Sequence, residues 1–136
     1  MMLACASSSV ADARHRLAED LHRLRVRRGG VDDAVLVLSE LVSNAIKHAR
    51  PLESGEIAVV WEITGELVRV AVTDGGSSTR PVPIRPSRSA LGGRGLGIVS
   101  MLANEWGVDY APAGRTVWAV LHLAGRRSRA ARRAAI

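Results

Sequence analysis

This 136-residue chain has one cysteine, Cys5, no phenylalanine, three tryptophans and one tyrosine. A single thiol forms no intramolecular disulfide, which points to a reducing, cytoplasmic setting. Zinc would lack its usual ligands, and the four histidines are scattered, with neither metal spacing nor a carboxylate partner in a triad pattern. The longest apolar stretches are strand-length, and the opening Met1-Met2-Leu3-Ala4-Cys5-Ala6-Ser7 has no basic segment ahead of a short apolar one. Neither a secretory leader nor a membrane span is expected. The missing Phe, set against plentiful Ala, Arg, Val and Gly, reads as coding bias and says little about function.

Charge is present but unevenly placed. The net charge is +6, yet Arg126, Arg127, Arg129, Arg132 and Arg133 all lie in the last eleven residues, and without those five it falls to +1. A basic Ala/Arg tail over 124–136 reads as disordered, and it has no aromatic platform for stacking bases. Nucleic acid is therefore not the expected partner. The length suits one domain with a real core and is too short for a kinase domain joined to a sensing or dimerising one.

Periodicity organises residues 10–123 into that domain, behind an amino-terminal segment, residues 1–9, expected to be loose. Ser9 with Asp12 resembles a capping box, and Val10, Ala13, Leu17, Leu21 and Leu24 recur at helical spacing, predicting a helix from 10 to 25. Asp32 is placed to cap a second helix that Pro51 closes. Glu56 to Thr64 and Leu67 to Thr73 are β-rich runs around Gly65-Glu66, a predicted hairpin. Residues 77–92 carry prolines at 81, 83 and 86 and no periodicity, long enough for a functional lid. A third helix is expected from Gly97 to Trp106, then a second hairpin from 107–110 and 116–123. Segregated helices and strands give an α+β fold, a two-layer sandwich with one mixed, mostly antiparallel sheet covered on one face by three helices.

Three motifs carry chemistry. In the second helix Glu40, Asn44, Lys47 and His48 share a polar stripe opposite Val35, Leu38, Val42, Ala45 and Ala49. Asp74-Gly75-Gly76 ends an apolar strand, where a carboxylate can accept a hydrogen bond and Gly76 permits close backbone approach. Gly93-Arg94-Gly95-Leu96-Gly97 heads a helix, where free amides and the helix dipole favour anions. Taken singly, the first is a solvated helix face, the second a turn and the third a flexible loop. His48 reads as structural, and Trp61, Trp106 and Trp118 as core or interface.

In this order the motifs resemble the N box and the two glycine boxes of the GHKL ATPases, which include histidine-kinase catalytic domains, chaperones and type II topoisomerases. The short chain points more narrowly to the anti-sigma factor serine kinases. The resemblance implies binding of ATP with Mg²⁺, with Asn44 as the metal ligand and Glu40 as general base. It gives Asp74 and Gly76 the adenine, Thr116 a water shared with Asp74, and Gly93, Arg94, Gly95, Leu96 and Gly97 the triphosphate. Lys47 is placed to meet phosphate as a point charge, whereas Arg94 suits a phosphate or a partner equally. Ser78 stands where the family often has a further glycine. The partners implied are a sigma factor, an anti-anti-sigma protein phosphorylated on serine or threonine, and a second copy in a homodimer. Two other functions share these residues: a nucleotide-dependent switch without turnover, and a histidine-kinase catalytic domain. The second needs a substrate-histidine helix pair, for which nine residues before the first helix leave no room, so a separately encoded partner would have to supply it.

Overall fold

The computed structural model describes residues 1–48, 50–76 and 94–124, with main chain alone at 94 and 95. The elements are β1 (Met2–Ala4), α1 (Ser8–Arg23), α2 (Arg28–His48), β2 (Glu56–Thr64), β3 (Leu67–Asp74), α3 (Arg94–Leu102), β4 (Glu105–Ala111) and β5 (Gly114–His122). The expected lid, Gly93 and the arginine tail beyond 124 lie outside the described residues.

Five strands form one sheet in the order β1-β2-β3-β5-β4, and every pairing is antiparallel rather than mixed. The alternation read in the sequence sets its two faces. Ile57 and Val59 of β2, Val68, Val70 and Val72 of β3, and Val117, Ala119 and Leu121 of β5 are buried on one face. α2 packs over β3 and β5 and also touches α1 and α3. Its buried stripe is Val31, Ala34, Val37, Leu38, Leu41, Val42 and Ala45. The opposite face leaves Val60, Leu67 and Met2 exposed. There Trp118 lies across Gly107, where a Cβ would meet the indole at 2.7 Å, and Arg69 sits 5.4 Å from the ring centroid. The fold is thus an α+β sandwich of one open sheet and three helices.

Residues 2–4, expected to be loose, form an edge strand instead. Leu3 pairs with Ile57 and is buried, and the Met1 amine donates to the Val59 carbonyl at 2.6 Å. A short strand gains little alone, so burial of Leu3 and that charged donor hold it. Ser9 does not cap α1, which begins at Ser8. The Ser9 hydroxyl donates to the Ala4 carbonyl at 2.6 Å and ties the helix to β1.

The helix boundaries shift where burial outweighs local signals. Asp32 lies inside α2, which already begins at Arg28 because Gly30 and Val31 are buried. A Cβ on Gly30 would run into the Leu123 carbonyl, so the absence of a side chain lets helix and sheet close together. α3 starts at Arg94 rather than Gly97, drawn in by burial of Leu96, Val99 and Leu102. It ends before Trp106 because the Asn104 amide donates to the Val120 carbonyl at 2.8 Å and Trp106 pairs with Ala119 in β4.

Candidate functional site

Main-chain contacts bring one end of α2 and one end of β3 together. Just beyond α2, the Arg50 amide donates to the Gly76 carbonyl at 2.8 Å, and the Gly75 amide donates to the Arg50 carbonyl at 2.7 Å. A Cβ on Gly75 would strike the Pro51 carbonyl, and Gly76 adopts φ +86°, a conformation glycine takes freely. The Asp-Gly-Gly turn is therefore stitched to the chain that leaves α2. On that helix Asn44 is buried, Glu40 one turn earlier is half-buried, and Lys47 and His48 are exposed. The stripe thus grades from a covered carboxamide to a solvated cation.

Asp74 is the next inward position after Val68, Val70 and Val72, and it is 1 % exposed. Its Oδ1 accepts the Gly76 amide at 2.7 Å, and its Oδ2 accepts Arg115 Nη2 at 3.2 Å. Burial pushes the Asp74 carboxyl above its ordinary range, while the Arg115 guanidinium and then the Gly76 amide pull against it. Gly114 lets the β5 backbone pass beneath, since a Cβ there would meet the Asp74 carbonyl.

Thr116 is not brought to this carboxylate. The register pairs Asp74 with Arg115 and Thr73 with Thr116, so the two threonines lie on the other face, their hydroxyls 2.8 Å apart. The physical reason is the two-residue period of β5. With Val117, Ala119 and Leu121 turned to the core, Arg115 must turn inward and Thr116 outward. Arg115 is the neighbour of Asp74 that motif reading missed, and that alternation was the available signal.

At α3 the first helical turn is Arg94, Gly95, Leu96 and Gly97. The amides of Arg94, Gly95 and Leu96 open the helix ahead of its own carbonyl ladder, which is the set of donors a helix start presents to an anion. Leu96 is fully buried in the core, so only its main chain can meet a phosphate. Gly97 is half-buried.

The polar stripe of α2 and the buried carboxylate at the end of β3 are thus joined through the Arg50 main chain, and α3, with its glycine-rich start, packs on α2. The sequence profile of the histidine kinase-like ATPase domain matches residues 4–121. The chain belongs to that family. Twelve solved chains match it, among them the RsbU and RsbW domains of Rv1364c from Mycobacterium tuberculosis, at 20 % identity and a TM-score of 0.65. That match covers 90 % of this chain and 32 % of the other, so this chain spans about a third of its neighbour. No curated protein matches.

Histidine kinase-like ATPase domains bind ATP, typically with Mg²⁺. Among the described residues no group of three His, Cys, Asp or Glu gathers to hold a metal unaided. Magnesium does not require such a cage. It prefers oxygen ligands, retains waters and is often completed by substrate phosphates, which one amide oxygen on Asn44 suits. Among the described residues no helix is long and apolar enough to cross a membrane.

Proposed function

We propose that this histidine kinase-like ATPase domain is an ATP·Mg-binding anti-sigma regulatory factor. It acts as a serine/threonine kinase on an anti-anti-sigma partner and controls transcription by sequestering a sigma factor as a homodimer. The observation that supports the reading is the α2 stripe: a buried Asn44, whose side chain carries a neutral oxygen of the kind magnesium takes, with Glu40 one turn away. Glu40 is the general base for the attacking hydroxyl. Lys47 and the α3 start, with Gly93, Arg94, Gly95 and Gly97, meet the phosphates, and Asp74 with Gly76 receives the adenine. Magnesium held by Asn44 supplies charge neutralisation at the phosphates when bound. The likeness to a chain built of RsbU and RsbW domains supports the fold and agrees with the regulatory reading.

Calorimetric titration with ATP, with and without magnesium, tests the pocket. Asn44→Ala is expected to abolish metal-dependent binding and Asp74→Asn to weaken binding in either condition, while Glu40→Ala binds normally but loses phosphoryl transfer to the partner. Unchanged affinity in both Asn44→Ala and Asp74→Asn defeats the assignment. Partner capture that needs nucleotide but shows no transfer in the wild type replaces the kinase with a switch.

A further inference from the structure

The nucleotide reading leaves Arg115 without a task, although it is only 6 % exposed and stands opposite Asp74 in the register. Its ion pair is single-pronged, one Nη2 contact at 3.2 Å, and its Nε is buried with no hydrogen-bond partner among the described residues. An arginine that serves only to hold strands together is better placed with two parallel bonds to its carboxylate. Apolar side chains of similar volume would stabilise two neighbouring strands as well. What a hydrophobic pair would not supply is charge beside Asp74. A carboxylate this deeply buried tends to take up a proton unless a cation stands by it. Only the ionised form offers two acceptor oxygens, whereas the protonated form presents a donor hydrogen.

We propose that Arg115 is the positioning residue of the base site, holding Asp74 ionised and oriented so that its carboxylate accepts the exocyclic amine of a 6-aminopurine. This rests on the ATP reading above. It also sets selectivity. A 6-oxopurine turns an acceptor towards the charged carboxylate and is rejected, but a protonated Asp74 would donate to that oxygen and admit it. Other charged or titratable groups at this end are Glu40, Lys47 and His48 of α2, Arg50 after it, and Tyr110 of β4, which faces Arg115 in the register. Among the described residues the groups acting on the Asp74 carboxyl are Arg115 and the Gly76 amide.

The test pairs two measurements on the full chain. Carbon-detected NMR follows the Asp74 carboxyl in the ligand-free wild type, Arg115→Lys and Arg115→Met. Calorimetry gives ATP and ITP affinities for the same proteins between about pH 6 and 8. Asp74 is expected to be ionised at neutral pH in the wild type and Arg115→Lys, with a constant preference for ATP. In Arg115→Met it is expected to be protonated, and the preference for ATP falls about tenfold towards the acid end. Should Arg115→Met not fold, Arg115→Gln takes its place with the same outcomes. A protonated Asp74 in the wild type, or a methionine variant whose selectivity runs parallel to the wild type across the range, overturns the proposal. A wild type that binds no ATP overturns the nucleotide reading and the base role with it, while the NMR titration still decides whether Arg115 governs the charge.

Discussion

Asp74 places a carboxylate among valines, and the cost of that burial should be measurable as a pH dependence of stability. Its carboxyl is raised in the folded state, with burial the largest cause. The folded protein therefore holds this proton more tightly than the unfolded chain, whose value is about 3.9. The contribution to stability is fully present below that unfolded value and is lost as pH rises through the folded one. Arg115 stays charged throughout, so its loss of a partner in Asp74→Asn shifts the comparison by a constant. Denaturant unfolding of the wild type and Asp74→Asn at several pH values should show the difference, wild type minus variant, falling as pH rises from about 4. A rising difference would mean that Arg115 and the Gly76 amide outweigh burial. The role of Asp74 as an inward polar residue was legible from Val68, Val70 and Val72 before it. Arg115 was not found because motif matching favoured the threonine, whereas the strand period, applied back from Val117, assigns the inward position to arginine.

At the scale of elements, the end of α1 is a Schellman motif built on an unusual residue. The Val26 amide donates to Leu21 and the Arg25 amide to His22, at 3.0 and 2.9 Å, with Arg25 at φ +58°. An L side chain in the left-handed region costs roughly 1–2 kcal/mol. Arg25→Gly should therefore stabilise the fold by about 1 kcal/mol after glycine's greater unfolded-state freedom is subtracted, read as a shift in the urea midpoint at constant slope. β1 makes the opposite prediction. Leu3→Ala should cost about 2–3 kcal/mol, whereas a loose terminus would lose nothing. The β2–β3 hairpin was legible because Gly65 interrupts two alternating runs, and Gly65 indeed takes φ +61°. β1 was not, since three residues carry too little pattern. The starts of α2 and α3 were misplaced for a related reason. Asp32 and Gly97 are sound local signals, but contacts from Gly30 to Leu123 and from Leu96 to the core form only after the chain has folded.

For the whole molecule, the order of motifs along the chain foretold the layers because each motif ends or begins an element. The α2 stripe, the end of β3 and the start of α3 belong to the three segments that frame the proposed pocket. A ligand spanning them should act as a fourth structural element, stabilising the folded state without binding the unfolded chain. At a free concentration about a hundred times Kd, that linkage adds about 2.7 kcal/mol. For a domain of this size it raises Tm by roughly 10 °C. Thermal unfolding with ATP and magnesium should show this rise in the wild type and lose it in Asn44→Ala. Thr116→Val discriminates further, because it removes the hydroxyl contact with Thr73 on the outer face while leaving the Asp74 side intact. Its own Tm should drop, yet the increment from ATP should match the wild type. A lost increment in Thr116→Val would mean that the outer face of the sheet, rather than the end shared by α2 and β3, receives the nucleotide.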